Sequence, residues 1–379
     1  MTHGAEGMDE KPSPVGHAMA QALKVLVTGF EPFGNHVHNI SAEVALLLAG
    51  PQTLADPWTG EELSLLCETT VLTVDVEGSM ETSNRWTAGE RWDAILHLGL
   101  CEQCDAPRVE RLAKDVINMR LPDNAGRQLE CQVIDGTGDR GCWVDPTFWN
   151  TDDFETTFSV STDAGSYVCN ETYFRTLSAV SSSPDAEPLP VPCLFVHLPD
   201  EGRLSCLEAL AFVRQCLAYL VRPFPPQTVH VMAAHLAKPD GLHVVTRRPT
   251  GDADAGTWEY AGGKCEPGEA WHETLQREVR EELGLVVHPV RLLGSWLRRR
   301  DNNVYAIHLA DCHWSWQTAE IKLTAHDDWQ WADPASPPSW KWAGRDGEFY
   351  EHIRSLSHNQ VEASPSSSMA NSSLIDRGT

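Results

Sequence analysis

Positive charge is scarce in this chain of 379 residues. Its 29 lysines and arginines stand against 54 aspartates and glutamates, a formal net charge of −25. A surface of that sign repels nucleic-acid backbones and anionic membranes, so neither a nucleic-acid polymer nor a membrane is an expected partner. A phosphate-bearing substrate therefore needs a metal ion or a local cluster of arginine. Long apolar runs are also missing, and nothing approaches the ~18 residues of a membrane span. The opening 22 residues, MTHGAEGMDEKPSPVGHAMAQA, lack the charged start and apolar stretch of a secretory signal and read as a disordered leader. The 11 cysteines are odd in number and follow no framework spacing, which points to a reduced, cytoplasmic setting. No internal repeat is found.

What is present divides in two, as the length suggests. KVLVTGF (24–30) is an apolar, β-branched run ending at a glycine, the pattern of a buried strand followed by a loop. SAEVALLLAG (41–50) reads as a helix that stops at Gly50. Strand-like runs follow at 63–74, 93–100 and 192–199. A turn and helix occupy 160–180, and a long apolar helix at 205–221 closes the first domain, expected over 23–222. PFPPQ (223–227) reads as a linker. Residues 228–357 then show two pairs of strand runs flanking a glutamate-rich helix, and a last helix at 347–356. The Ser-rich tail, 358–379, reads as disordered. Strands alternating with helices argue an α/β fold in each part.

In the first part, Cys169 precedes the helical run NETYFRTL. The exposed N–H groups of a helix start favour a thiolate. FVHLP offers His197 as a base, and a third group must orient the imidazole. GFEPFG (29–34), HLGL (97–100), VER (109–111), RLPDNAG (120–126), SxDAGxYxCN (161–170) and FVHLP (195–199) occur in that order. Together they resemble the pyroglutamyl peptidases of type I, the pyrrolidone-carboxylate cysteine peptidases, over roughly residues 24–222. The resemblance implies a three-layer α/β domain with a twisted mixed sheet. It implies Cys169 as nucleophile, His197 as base, Glu110 as third member, and no cofactor. The implied substrates are pyroglutamyl peptides, whose lactam ring would meet Phe30 and Phe33, with Tyr167 and Val168 bordering the pocket. Plain core packing is the alternative for both phenylalanines. The segment CEQCDAP (101–107) departs from the family. Its CxxC, Cys101 and Cys104, lacks a second pair for zinc and reads as coincidence, with a regulatory disulfide as the alternative.

The second part contains GGKCEPGEAWHETLQREVREELGL (262–285). Glu278, Glu281 and Glu282 share one helix face, where like charges repel unless a cation is expected. The stretch fits G-x5-E-x7-R-E-U-x-E-E-x-G-U without a gap, from Gly263 to Leu285. This is the Nudix box, and with VVTRR, WEYAGGK and DDWQWADP it resembles the MutT-like Nudix hydrolases, implying an α/β/α sandwich. The resemblance implies Mg²⁺ or Mn²⁺ held by the carbonyl of Gly262 and by Glu278, Glu281 and Glu282, with Glu278 also in a catalytic role. Arg277 would pair with Glu269, and Arg248 or Arg247 would meet phosphate or base. The implied substrate is a nucleoside triphosphate or a related diphosphate. One position departs: Ala325 stands where a further glutamate is common, and His326, Asp327 or Glu320 is the candidate replacement.

The reading is a bifunctional hydrolase, a cysteine peptidase joined to a nucleotide pyrophosphohydrolase. The alternative is an active peptidase regulated by a catalytically weak, nucleotide-binding second domain. Peptidases of this type often assemble as homo-oligomers, but no surface of the sequence predicts it.

Overall fold

The computed structural model of the chain describes residues 22–181 and 189–363, with side chains described through residue 356. The expected leader and most of the expected tail lie outside the described residues.

The first part runs β1 (Leu23–Phe30), α1 (Ile40–Leu47), β2 (Gly50–Ala55), β3 (Glu62–Leu72), α2 (Val76–Thr87), β4 (Ala94–Cys101), β5 (Arg108–Glu110), β6 (Leu112–Ala113), β7 (Arg140–Gly141), β8 (Ser159–Ser161), α3 (Val168–Ser181), β9 (Cys193–Pro199) and α4 (Cys206–Val221). Seven strands form one sheet in the order β2-β3-β1-β4-β9-β5-β8. It is mixed: β3, β1, β4 and β9 are parallel, β2 runs against β3, β5 runs against β9, and β8 is parallel to β5. The central strands are buried at almost every residue, the mark of a sheet covered on both faces. α1 packs with α4 and α2 with α3, giving the three layers.

The expected end of the first helix at Gly50 is corrected. α1 ends at Leu47, and Gly50 opens β2, a strand the apolar pattern missed. β2 is an edge strand with one neighbour and contains Pro51, which only an edge tolerates readily.

The second part runs β10 (Val229–His235), β11 (His243–Arg247), β12 (Trp258–Glu259), β13 (Gly262–Lys264), α5 (Trp271–Leu283), β14 (Val287–Arg300), β15 (Asn303–Trp314), β16 (Asp328–Ala332) and α6 (Asp346–Ala363). One sheet has the order β13-β10-β15-β14 and a second β12-β11-β16. Neighbouring residues on the first sheet point to opposite cores. Met232, Ala234, Leu292 and Ala310 share a core with Leu275 and Val279 of α5. Ala233, Leu293 and Leu309 share another with Phe349, Tyr350 and Ile353 of α6. That two-residue period places the sheet between the helices. α6 extends to Ala363, beyond the expected 356.

The expected linker is packed in place. Phe224 stacks on Trp143 at 5.4 Å and meets His308 edge-on at 5.8 Å. No described helix is long and apolar enough to cross a membrane.

Candidate active sites

β4 and β9 lie side by side, with Gly99 opposite His197. A Cβ on Gly99 would sit 3.1 Å from the sulfur of Cys169 and 2.8 Å from the ring of Phe195. The glycine therefore lets the start of α3 bring Cys169 down onto the strand that neighbours His197. β5 runs against β9 on its other side, and Glu110 accepts a hydrogen bond from His197 Nδ1 to Oε1 at 2.8 Å. Glu110 is fully buried and His197 nearly so. Cys169 and His197 both line a cleft of about 830 Å³, and Tyr167 and Phe33 form part of its wall.

Beside Cys169 a narrow pocket is lined by Phe30, Phe33, Val74, Leu100, Tyr167 and Val168. Phe30 is buried in the core, whereas Phe33 is half-buried and lies 6.0 Å from the ring of Tyr167. The Tyr167 hydroxyl donates to the carbonyl of Pro122 at 3.1 Å, so the pocket wall is tied to the RLPDNAG loop. The pocket is mostly apolar, which suits a ring without a free amine.

One expectation at this site is opposed by desolvation, and another is corrected. Burial, reinforced by the nearby Glu110 charge, pushes the Cys169 thiol up to about 12. Desolvation of a thiolate opposes the attraction of the helix start. The CxxC is not a coincidence of spacing: Cys101 and Cys104 are joined by a disulfide, their Cα atoms 5.5 Å apart across a turn at the end of β4. Both line the same cleft as Cys169.

One residue went unnoticed in the sequence. Arg108 Nε donates to Glu110 Oε1 at 3.1 Å, and the arginine also lines the cleft. It stands two residues before Glu110 on one strand and so shares its face, a signal that two-residue periodicity carries.

In the second part the Nudix-box residues gather where β13 meets α5. Arg277 donates from Nε and its NH2 group to the two oxygens of Glu269, each at 2.8 Å, as expected, and from its NH1 group to Glu278 at 2.7 Å. The pair holds the Glu269 carboxyl down at about 2. A Cβ on Gly263 would lie 2.3 Å from the carboxyl of Glu278, so glycine is required there to admit that side chain. Gly262 has φ +151°, and a Cβ there would strike the carbonyl of Met232. Its N–H donates to Glu282 at 3.0 Å. Burial pushes the Glu282 carboxyl up to about 7. Glu281 stays largely exposed.

Glu278, Glu281, Glu282 and the Gly262 carbonyl are hard oxygen donors, and Glu282 is half-buried. In kind they fit Mg²⁺ or Mn²⁺. Among the described residues, no group of three or more His, Cys, Asp or Glu side chains closes in on one point.

Arg248 and Arg247 are partly exposed and paired within the fold. Arg248 donates to Glu259, Asp252 and the carbonyl of Ala253, and Arg247 to Asp327. Of the three candidates near Ala325, His326 is the one facing the metal-ligand carboxylates. It is almost fully buried, bonds Glu259 at 3.1 Å and acts electrostatically on Glu282.

The comparisons divide at the same place. The pyroglutamyl peptidase family matches residues 23–202 and the NUDIX domain residues 226–353. A pyrrolidone-carboxylate peptidase of Aliivibrio fischeri is 30% identical over 40% of this chain and 69% of its own length. A CTP pyrophosphohydrolase of Escherichia coli is 35% identical over 28% of this chain and 76% of its own. Among solved structures, pyrrolidone carboxyl peptidase from Thermus thermophilus is 30% identical, covered in full by 52% of this chain, with a TM-score of 0.40. The chain thus belongs to the pyroglutamyl peptidase family through its N-terminal part and to the NUDIX family through its C-terminal part.

Proposed function

We propose that the chain carries two hydrolytic activities, removal of an N-terminal pyroglutamyl residue and pyrophosphohydrolysis of a nucleoside triphosphate, over domains 23–222 and 228–357. The observation that carries the first is the Glu110–His197 hydrogen bond beside a cleft that also contains Cys169. Because burial keeps the Cys169 proton on, His197 takes it as the sulfur attacks the pyroglutamyl carbonyl carbon. The bond to the next residue's nitrogen breaks, and His197 returns the proton to the leaving amine. Water then hydrolyses the thioester and regenerates the thiol. Glu110 stabilises the imidazolium and fixes its orientation. Phe33, Tyr167 and Val168, with Phe30 behind them, shape the pocket for the lactam ring.

For the second activity, Glu278, Glu281, Glu282 and the Gly262 carbonyl would hold Mg²⁺ or Mn²⁺. Such an ion, when bound, polarises a diphosphate and activates water. Arg277 holds Glu278 and the Glu269 loop in register. Arg248, partly exposed and paired with Glu259, is the arginine proposed to meet phosphate or base. CTP belongs in the test panel because the bacterial relative is named for it.

A second reading has its own support. Ala325 replaces a common carboxylate, and no three carboxylate or imidazole side chains converge among the described residues. On that reading the second domain binds a nucleotide and regulates the peptidase. One experiment separates the two: the protein is incubated with Mg²⁺ and normal and oxidised nucleoside triphosphates, with Glu278→Gln as control. Pyrophosphate release lost in the variant supports the enzyme. Tight binding without turnover, accompanied by altered cleavage of a pyroglutamyl substrate, supports the regulator.

A further inference from the structure

β14 is the outer strand of its sheet, so one row of its backbone groups has no strand to pair with. The N-terminal part covers that row. The carbonyl of Leu293 lies against Gly141 of β7, 1.8 Å from where a Cβ would stand, so only glycine fits. Ser295 offers its carbonyl to the Arg111 guanidinium at 2.7 Å. Leu297 donates its N–H to Asp145 at 3.0 Å and accepts from Arg345 at 2.7 Å. The Leu293 carbonyl, at an irregularity of the strand, also meets His352 of α6 at 2.9 Å, so the hydrogen bonds with the N-terminal part are those of Arg111 to Ser295 and of Leu297 to Asp145.

Arg111 is the centre of this contact and the residue next to Glu110. Its side chain is almost wholly buried, and its guanidinium lies 4.9 Å from the ring centre of Trp296, a cation–π contact. Asp145, fully buried, stands 3.9 Å away and also pairs with Arg345 at 3.3 Å. The Arg111 backbone is held on both sides, by the carbonyl of Ser161 and the N–H of Cys142. The strand before it, Arg108–Glu110, has only three residues, and Glu110 Oε2 has no hydrogen-bond partner. The strand is paired along its three residues with β9 on one side and β8 on the other, and Tyr173 donates to the Glu110 carbonyl at 3.0 Å, so Arg111 is where this short strand continues into the contact with β14.

We propose that Arg111 is a positioning residue for Glu110 and that β14 of the second domain completes its site, so the peptidase works fully only with that domain docked. The inference rests on reading Cys169, His197 and Glu110 as the peptidase triad. Arg111 touches no substrate. It acts by anchoring the strand on which Glu110 sits, and two of its partners, the Ser295 carbonyl and Trp296, come from the other domain.

The test uses the full chain. Arg111→Met and Arg345→Met are compared with wild type for release of the fluorophore from pyroglutamyl-aminomethylcoumarin and, in the same preparations, for pyrophosphate release from CTP with Mg²⁺. Near-ultraviolet circular dichroism checks folding. Both variants are expected to lower the peptidase kcat about tenfold to a hundredfold, since small displacements of a catalytic array cost that much. KM should stay within about twofold and the nucleotide reaction likewise, because neither arginine lies in those sites. Arg111→Lys, which can still donate to Ser295 but cannot stack as a plane, should recover part of the loss. If Arg111→Met does not fold, Arg345→Met decides, because that side chain is partly exposed and lies outside the peptidase domain. Folded variants with wild-type kcat overturn this inference alone. A wild-type protein that cleaves no pyroglutamyl substrate overturns the peptidase reading and this inference with it.

Discussion

The two candidate sites solve the same problem, burying carboxylates beside a reaction, in opposite ways. Beside Cys169 the carboxylate already has charged partners within the fold: Glu110 receives His197 and Arg108 on one oxygen. Around α5 the arrangement is incomplete. Glu278 is held by Arg277, Glu281 points outward, and Glu282 is half-buried near other carboxylates with its proton affinity raised by desolvation. A covalent mechanism needs its nucleophile and base aligned before substrate arrives. A metal-dependent one leaves repulsion to be relieved by the ion.

The sharpest way to break this contrast is to remove one site and watch the other. Cys169→Ala should abolish pyroglutamyl release, a loss of about a thousandfold or more for a covalent nucleophile. Pyrophosphate release should be unchanged. Loss of both together would show that the sites do not act separately. Glu278→Gln is the reciprocal change, expected to cost about a hundredfold or more in nucleotide hydrolysis if that carboxylate bears on the metal. Isothermal titration with Mg²⁺ alone should show weakened binding, a readout that does not depend on turnover.

Arg108→Met sharpens the comparison within the first site. It removes one of two partners from a fully buried carboxylate while leaving His197 in place. A fall of about tenfold in kcat/KM for pyroglutamyl-aminomethylcoumarin is expected, the scale of a lost charged hydrogen bond. An unchanged value would mean that His197 alone holds Glu110.

Sequence reasoning reached the groups that local pattern marks. His197 bonds Glu110, Cys169 lines the same cleft as His197, and Arg277 pairs with Glu269, because ordered motifs carry those residues. It could not reach the partners separated by long stretches of chain. Arg111 and Ser295 are 184 positions apart, and Arg345 and Asp145 are 200 apart. Each residue alone looks like ordinary surface charge. β2 was missed because an edge strand shows no full apolar run. The Cys101–Cys104 bond was missed because spacing alone does not say whether a turn brings two cysteines within bonding distance. The desolvation that opposes a Cys169 thiolate was not legible, because a helix start is visible in sequence and burial is not.

The smallest effect expected concerns stability, and it compares two buried carboxylates. Glu110 has a histidine and an arginine. Asp346, at the start of α6, is also buried, and its hydrogen bonds come from uncharged backbone N–H groups, that of Tyr260 at 2.8 Å among them. Burial pushes its carboxyl up to about 8. In the unfolded chain the same group releases its proton near 3.8. Between those values the folded protein binds the extra proton, so stability falls as pH rises across that window and levels off above it. Asparagine keeps an oxygen to accept the Tyr260 N–H and has no proton to lose. Asp346→Asn should therefore melt progressively above wild type from pH 4 to pH 8, by an amount reaching several kcal/mol, an order-of-magnitude figure. Calorimetry at pH 5 and pH 8.5 reads the difference. A gap that does not widen would mean that Asp346 is ionised in the fold, and that the second domain, like the first, supplies a compensating charge for its most buried acid.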